Sequence, residues 1–497
     1  MLRKILSVII AVVIIAVPLM SLCAHAESVQ KYPLVYVNGF MSRELHSDKT
    51  DPDSDVIWPP SAESILKTAG KMAPFIVKFA VDKDWDYFAE KSFPYVGELF
   101  APVCCTDDGT VTNGSGIIFD YPDKETVTRG GSYDFYYDWR LDPVDIADEL
   151  NDFIDYILEC SGAEKVSIIA HSLGGVITLS YLTIYGTEKV DGVCFYVSAI
   201  YGEAYNGQLM SGKIGFDGDC LTEFMRGTFS DNEYQYLLAS IFDVLNQVGI
   251  LDPICACANY AIDQCLDVAA REAVLPLFAN WLSIWSMVPD KYMDSAKEYV
   301  FGDIYSDVDR SVIISKIDRY NNTVRAHKKE TLKKLNETAN VIVISGYGFT
   351  PIPIIPDWKV LSDTNVDTSS TSFGAVTAPY GEQLSEEYLQ SADSRYISPE
   401  KNIDASTCLF PEQTWFVANL KHTASGGVIS EMQKTLLFSE KQPTVDTYEE
   451  YPRFLTYSAQ ENTLTPNTDA APAPTFIQTV ILVVKDIVKL IKNLINK

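Results

Sequence analysis

The chain has 497 residues, in which 67 aspartates and glutamates outnumber 39 lysines and arginines and give a formal net charge of −28. That charge argues against binding nucleic acid or an anionic surface through the main body of the protein. Hydrophobic residues make up 47% of the chain, which is enough for a large buried core.

Residues 1–26 are predicted to be a secretory signal peptide. Arg3 and Lys4 precede an apolar run over residues 5–20, and Ala24 and Ala26 provide the small residues of a cleavage site. This order is typical of a removable export signal and not of a membrane anchor. The sequence therefore predicts a protein that is secreted or held at the outer cell surface.

The first strand is predicted at residues 34–37, and it ends in the turn-forming pair Asn38-Gly39. An early strand that ends in such a turn is where a serine hydrolase built on a parallel sheet keeps half of its oxyanion hole. The backbone N–H of Phe40 is the predicted donor. This assignment depends on the nucleophile identified below, since the pair alone indicates only a turn.

Residues 55–126 are predicted to be irregular and partly helical, with helical apolar spacing over residues 61–81. Two interpretations stay open for this segment: a lid or acyl-chain groove near the oxyanion turn, or a satellite core under a long excursion. Its many aromatic residues fit both, and they are Trp58, Trp85, Tyr87, Phe88, Phe93, Tyr95 and Phe100.

Strands and helices alternate after this segment. A strand is predicted near residues 134–137, an amphipathic helix from Pro143 to about Leu158, and further strands at residues 166–169 and 192–197. The proline at the start and the 3.6-residue apolar spacing support the helix. This alternation implies a mostly parallel sheet with helices on both faces.

The nucleophile is predicted from a strand that runs into Ala170-His171-Ser172-Leu173-Gly174, followed at once by a helical pattern. A serine on such a sharp turn has its hydroxyl exposed at the edge of the sheet, as in α/β-hydrolases. The positions two before and two after it must be small, and Ala170 and Gly174 meet that need. We therefore predict Ser172 as the nucleophile and the N–H of Leu173 as the second oxyanion donor.

Residues 203–338 carry mainly helical patterns, and strand-like alternation resumes at residues 341–345. An insertion of this length between strands of one sheet predicts a helical cap that shapes the substrate cleft. Trp281, Trp285 and Met287 are candidates for apolar lining, although core packing is the safer interpretation of each.

The predicted domain organisation follows from these patterns. The hydrolase core comprises residues 27–202, with the lid-like segment 55–126 inside it, and residues 339–440. The cap, residues 203–338, lies between the two parts of the core.

The general base is predicted by elimination among five histidines. His25 lies in the signal peptide, His46 precedes the serine, His171 adjoins it on the turn, and His327 lies in a charged helical run. A serine nucleophile needs a base oriented by a carboxylate, and in α/β-hydrolases the chain order is serine, acid, histidine. His422 alone follows the late strand and is the predicted base.

The orienting carboxylate is expected in the loop after the strand that follows the cap. Asp357, Asp363 and Asp367 are the candidates. Asp363 is preferred and Asp367 is the alternative, and either could instead cap a turn.

No cofactor or metal is expected. The cysteines of Cys255-Ala-Cys257 lack the two-residue gap of zinc and thioredoxin motifs, and no histidine lies close by.

The end of the chain is predicted to be a linker, residues 441–474, followed by an amphipathic helix, residues 475–497. Apolar residues recur there at helical spacing, with Lys485, Lys489 and Lys492 on the opposite face. The apolar run is too short to span a bilayer, which needs about 20 residues. Contact with a membrane surface is expected, and docking on the body or on a partner is the alternative.

With these residues assigned, the chain resembles the lecithin:cholesterol acyltransferase and lysosomal phospholipase family of α/β-hydrolases. Four segments carry the likeness: Val37-Asn-Gly-Phe40, Tyr137-Asp-Trp-Arg-Leu141, Ala170-His-Ser-Leu-Gly174 and Ser362-Asp-Thr-Asn-Val366. The second is the most specific, because the family carries the same five residues. The resemblance implies that the family's serine, acid and histidine correspond to Ser172, Asp363 and His422.

The residues and the resemblance together predict an exported serine hydrolase of lipid esters, similar to a lipase or phospholipase. A close variant transfers the acyl group to an alcohol. The alternative is a non-catalytic cell-surface binding protein on a hydrolase scaffold. The expected partners are a lipid or other acyl-ester substrate and, through the tail, a membrane surface.

Overall fold

A computed structural model of the chain describes residues 30–111, 114–228 and 233–468. The predicted signal peptide, 1–26, and the predicted C-terminal helix, 475–497, lie outside the described residues.

An eight-stranded sheet forms the centre of the described chain, in the order β12-β11-β10-β7-β6-β5-β1-β4. Neighbouring strands are parallel except for the antiparallel pair β11 and β12. Two short two-stranded sheets, β2-β3 and β8-β9, accompany it. The strand bounds are β1 Leu34–Val37, β2 Leu45–His46, β3 Val56–Trp58, β4 Ser132–Phe135, β5 Val166–His171, β6 Val190–Tyr196, β7 Asn340–Tyr347, β8 Val376–Thr377, β9 Ile403–Asp404, β10 Thr414–Ala418, β11 Phe454–Ser458 and β12 Thr463–Pro466.

Helices fill most of the connections between these strands. The α-helices are Ala62–Asp82, Trp85–Phe100, Pro143–Ser161, Leu173–Tyr185, Ala204–Met210, Gly218–Thr228, Glu233–Gln247, Leu251–Ala269, Leu275–Phe278, Leu282–Ser286, Met293–Lys297, Ser311–Thr323, Lys328–Thr338, Thr368–Thr371, Glu386–Ser391 and Gly427–Leu437. Two π-helical stretches, Ala270–Val274 and Glu298–Ile304, lie within the cap.

The strand residues alternate between two buried clusters on opposite faces of the sheet, as the period of two requires. Val35 and Ile168 belong to one cluster with the helices Pro143–Ser161 and Leu173–Tyr185. Ile169 belongs to the other, with the helix Gly427–Leu437. Helices therefore cover both faces, as predicted.

The order of the strands places a crevice between β1 and β5. From β1 the chain adds β4 on one side, and it then returns to add β5, β6 and β7 on the other side. In a parallel sheet such a reversal opens a crevice at the carboxyl ends of the strands, and ligands bind there. Asn38 follows β1 and Ser172 follows β5, so both lie at this crevice.

The predicted linker at residues 441–474 is wrong over much of its length. Residues 454–458 form β11 parallel to β10, and residues 463–466 form β12 beside it. β11 contains Phe454, Thr456 and Tyr457, which favour strands, and it pairs with β10. β12 is a short run of threonine, leucine and proline that pairs with β11. The sheet thus extends past residue 440, to Pro466.

The cap segment, residues 203–338, contains helices and no strand in its described part. Trp281, Trp285 and Met287 are almost fully buried in its core, which agrees with the packing interpretation. Within the described chain no single helix is long and apolar enough to cross a membrane. The segments Ala239–Gln247 and Leu251–Phe278 reach the required length and apolarity only as a pair, and the angle between them is 93°.

The lid-like segment contains a pair of helices, Ala62–Asp82 and Trp85–Phe100, that we call the helical hairpin. Ser61 and Asp84 cap their N-termini by accepting from backbone N–H groups. Phe75 and Phe79 pack on rings of the second helix. These aromatic rings contact one another between the two helices, although no residue of the first helix is buried.

The hairpin is joined to the cap by a close backbone contact at Gly97. A Cβ atom built on Gly97 would lie 2.4 Å from the carbonyl oxygen of Glu272, far inside van der Waals contact. The hairpin and the π-helical stretch Ala270–Val274 can approach this closely only because residue 97 has no side chain.

We predict that Gly97→Ala destabilises the protein, although alanine is intrinsically better than glycine in a helix by about 1 kcal/mol. The matched control is Gly70→Ala in the first helix, where an added Cβ meets nothing within 4 Å. Gly70→Ala should raise the urea midpoint of unfolding and Gly97→Ala should lower it. Equal shifts of the two midpoints in the same direction would contradict the close contact.

Candidate active site

Ser172 occupies a strained turn between β5 and the helix Leu173–Tyr185. Its φ of 55° and ψ of −123° lie outside the regions that non-glycine residues ordinarily adopt. A Cβ on Gly174 would lie 2.1 Å from the carbonyl oxygen of Val37, and one on Gly175 would lie 2.4 Å from Ser198 Oγ. The small residues after the serine are thus required by the approach of β1 and of the segment after β6.

His422 connects the predicted nucleophile to the predicted acid. Ser172 Oγ lies 2.8 Å from His422 Nε2, and His422 Nδ1 lies 2.8 Å from Asp363 Oδ2. A carboxylate only accepts, so Nδ1–H donates to it and Nε2 is left to accept from the serine hydroxyl. All three residues are buried, and the geometry is that of a proton relay.

Asp363 is held by its own loop. Its Oδ1 accepts from the backbone N–H groups of Asn365, at 3.0 Å, and Val366, at 2.8 Å. Its carbonyl oxygen accepts from the N–H of His422 at 2.7 Å. The aspartate therefore positions both the ring of His422 and the backbone of the loop that carries it.

The other two candidate aspartates lie outside the relay. Asp357 is exposed. Asp367 is buried, and its Oδ2 accepts from the N–H of Ala204 at 2.9 Å, while Oδ1 has no partner among the described residues. Burial raises the pKa of Asp367 to about 7.

The remaining described histidines serve other purposes. His171 lies beside Ser172, but its Nε2–H donates to the carbonyl oxygen of His422 at 3.1 Å. Burial and the neighbouring His422 lower the pKa of His171 to about 4, so the ring is neutral near pH 7. His46 binds the carbonyl of Ser54 and His327 is exposed.

The predicted oxyanion donors follow the two strand ends that meet at the serine. A Cβ on Gly39 would lie 3.0 Å from Ser172 Cβ, so the turn carrying Phe40 adjoins the nucleophile. Leu173 is the first residue of the helix after it. Both backbone N–H groups thus belong to residues adjacent to the site.

The segment Tyr137–Leu141 supports this turn. Tyr137 donates its hydroxyl to the carbonyl oxygen of Asn38 at 2.6 Å. Trp139 packs edge-on against Phe40, with ring centroids 4.8 Å apart. The buried guanidinium of Arg140 donates two hydrogen bonds of 2.9 and 2.6 Å to the carboxylate of Asp138. This pair fixes the conformation of the segment.

Sequence reasoning missed Glu203, which follows β6 and is almost fully buried beside the relay. Its Oε2 has no hydrogen-bond partner in the described chain. Burial raises the pKa of Glu203 to about 7, and its charge acts on His422. A single glutamate in an apolar stretch carries no recognisable sequence signal. Its proximity to His422 arises only in the folded chain.

The charge state of His422 follows from these neighbours. Burial alone lowers the pKa of an imidazole, but here the Asp363 carboxylate, its hydrogen bond and the charge of Glu203 outweigh burial. The pKa of His422 is therefore raised above its ordinary value of 6.5.

A cleft of about 710 Å³ lies next to the His422 loop, and its lining includes Arg226, Tyr380, Lys421 and Thr423. Among the described residues no group of three or more histidine, cysteine, aspartate or glutamate side chains is arranged to hold a metal ion.

A family model described as alpha/beta hydrolase fold matches residues 101–210. The match covers the strained serine turn, and the parallel central sheet with helices on both faces agrees with it. The chain has the α/β-hydrolase fold. Its serine turn at the carboxyl edge of the sheet is the nucleophile position of that fold.

No curated protein matches the chain in sequence. Among solved structures, a chain in the crystal structure of the Tle4-Tli4 complex is 11% identical, with 63% of this chain and 75% of that chain covered and a TM-score of 0.24. That similarity is too low to carry an argument about this protein.

The two buried aspartates can be separated by substitution. Asp363→Asn is expected to slow the reaction of Ser172 with a fluorophosphonate by roughly 10³- to 10⁴-fold, because an amide cannot hold His422 in the tautomer that accepts a proton. Asp367→Asn keeps an acceptor for the N–H of Ala204 and should slow the reaction less than about tenfold. A larger effect at Asp367 would reverse the assignment.

Proposed function

We propose that the chain is a serine acyl-ester hydrolase that acts on lipid esters. The observation that carries the proposal is the hydrogen-bonded series Ser172, His422 and Asp363, with both links at 2.8 Å. Ser172 directly follows β5, His422 lies shortly after β10, and Asp363 lies in the loop between β7 and the helix Thr368–Thr371. An arrangement with this order and geometry has few uses besides activating the serine hydroxyl.

The reaction follows from the positions of these groups. Ser172 Oγ attacks the ester carbonyl carbon while His422 Nε2 takes the hydroxyl proton, and Asp363 stabilises the resulting imidazolium. The N–H groups of Phe40 and Leu173 stabilise the oxyanion, a contribution worth about 3–4 kcal/mol per donor in such sites. The imidazolium then protonates the departing alcohol, which leaves an acyl group on Ser172.

Water completes the cycle: His422 Nε2 takes one of its protons while its oxygen attacks the acyl carbon. The bond from that carbon to Ser172 Oγ then breaks, the imidazolium returns the proton to Oγ, and the acyl group leaves as a carboxylic acid. In the close variant an alcohol takes the place of water, and the product is a new ester. The resemblance to the lecithin:cholesterol acyltransferase and lysosomal phospholipase family supports both outcomes and the choice of a lipid ester. Product analysis with and without added alcohol separates them.

Export belongs to the same proposal, because the charged and apolar pattern of residues 1–26 is that of a signal peptide. The alternative function, non-catalytic binding at the cell surface, would not require the buried hydrogen bonds that join Ser172, His422 and Asp363.

Ser172→Ala is expected to lower the turnover of a short-chain, water-soluble ester by roughly 10⁶-fold and to abolish fluorophosphonate labelling. The control is Ser406→Ala, which removes an exposed hydroxyl outside the lining of the cleft and should leave both unchanged. Labelling that persists in the Ser172 variant, or that never occurs in the wild type, would favour the binding-protein alternative.

Activity is expected to fall as the pH drops through the pKa of His422, because an imidazolium cannot accept the serine proton. Since that pKa is raised, the acidic limb of kcat/KM should lie above pH 6.5. Glu203→Gln removes a negative charge that stabilises the imidazolium, and the limb should therefore shift to lower pH.

Glu223→Gln is the matched control for that shift. Glu223 pairs with Arg226 in the cap helix Gly218–Thr228 and should not affect the limb. A limb that moves equally in both variants, or that moves upward in Glu203→Gln, would show that Glu203 does not act on His422.

A further inference from the structure

The predicted base is carried by a loop, residues 419–426, that joins β10 to the helix Gly427–Leu437. His422 is buried, but Thr423 and Ser425 are exposed, so the loop lies at the surface on one side. Surface loops move more readily than the strands that they connect. The imidazole therefore needs further contacts that hold the backbone of the loop if it is to stay beside the serine hydroxyl.

Two side chains of the central sheet donate hydrogen bonds to the backbone of this loop. His171, the last residue of β5, donates from Nε2–H to the carbonyl oxygen of His422 at 3.1 Å, since a carbonyl can only accept. Tyr196, the last residue of β6, donates its hydroxyl to the carbonyl oxygen of Ala424. We call these two hydrogen bonds the loop tethers.

The positions of the two donors are set by the sheet. His171 and Tyr196 are partners in the register of the parallel strands β5 and β6. Their rings are stacked with centroids 5.5 Å apart and an angle of 28° between the planes, and the ring of His171 lies 5.3 Å from that of His422. The tethers therefore bind the loop to a rigid part of the molecule.

Tyr196 also holds the turn that carries the predicted nucleophile. Its carbonyl oxygen accepts from the backbone N–H of Ser172 at 3.2 Å. One residue thus bonds to the serine turn through its backbone and to the loop of the base through its side chain. A shift of the loop away from Ser172 has to break the hydroxyl bond of a tyrosine that is only 1% exposed.

His171 holds the loop without adding charge. Burial and the neighbouring His422 lower its pKa to about 4, so the ring is neutral near pH 7. A cation at this place would oppose the formation of an imidazolium on His422 by repulsion. A neutral N–H donor avoids that repulsion.

We infer that His171 and Tyr196 are positioning residues for the base, which hold the loop so that the His422 imidazole stays within hydrogen-bond distance of Ser172. The effect on rate rests on the proposed function, whereas the tethers themselves require no turnover. Neither residue touches the reacting atoms in this role.

Tyr196→Phe keeps the stacked ring and removes only the donor. The kcat for p-nitrophenyl butyrate should fall by roughly 10- to 100-fold, because a displacement of about 1 Å can cost that much. KM should stay unchanged, since the lost alignment affects the transition state and not substrate binding.

The matched control is Tyr156→Phe, which removes a similar bond from a tyrosine hydroxyl to the carbonyl oxygen of Pro122, of 2.6 Å. It should lower the melting temperature about as much as Tyr196→Phe does and leave kcat unchanged. A kcat loss that both variants share would reduce the role of Tyr196 to general stability and overturn the inference.

A second pair of variants tests the other tether. His171→Gln places an amide N–H near the position of Nε2–H and should retain most of the wild-type kcat. His171→Leu has a side chain of similar size without a donor, and its kcat should fall as in Tyr196→Phe. Equal kcat values in the Gln and Leu variants would overturn the role of His171.

Hydrogen exchange followed by mass spectrometry tests the tethers without turnover. Tyr196→Phe and His171→Leu should speed the exchange of backbone amides in residues 419–426, and Tyr156→Phe should not. Unchanged exchange in both donor variants would overturn the tethers whatever the turnover. A wild type without turnover would refute the proposed function, and faster exchange in the donor variants would then leave the tethers standing.

Discussion

The contact between the helix Leu173–Tyr185 and the end of β1 is the constraint on which the site depends. There is no room for a side chain at Gly174, because the carbonyl oxygen of Val37 already occupies the position of its Cβ. This approach makes the chain turn sharply at Ser172, which accepts a positive φ as a consequence. The same approach brings the turn after β1 next to the serine. One steric requirement thus places both Ser172, the proposed nucleophile, and the turn that carries Phe40, the proposed oxyanion donor.

The segment Tyr137–Leu141, the most specific of the four sequence matches, supports the turn after β1. Tyr137 and Trp139 hold the turn that carries Phe40, through a hydrogen bond to the carbonyl oxygen of Asn38 and a ring contact with Phe40. The ion pair between Arg140 and Asp138 lies within the segment itself. A buried ion pair contributes little net stability compared with apolar residues of similar volume, yet losing one partner is costly. We therefore interpret the segment as a support that keeps the backbone N–H of Phe40 in position.

Local pattern predicted the parts of the fold whose signal is local. The strand before Ser172, the helix from Pro143 and the cap were all visible as periodicity, and His422 was reached because only five histidines had to be considered. β11 was missed although Phe454, Thr456 and Tyr457 favour a strand, and β12 was missed because its short run of threonine and proline resembles a linker. Asp363 and Asp367 could not be separated fully, since both follow the same strand and only the folded loop turns one towards the histidine. Glu203 was recognised as part of the site only from its burial in the folded chain.

The two edge strands of the central sheet affect how readily copies of the chain can associate. Each outermost strand, β4 and β12, is only four residues long, and β12 runs antiparallel and finishes at Pro466, which has no N–H to offer a neighbour. Short, irregular borders of this kind give an incoming chain few free backbone groups with which to extend the sheet. These edges therefore oppose fibrous association between copies of a chain that exposes several large apolar side chains.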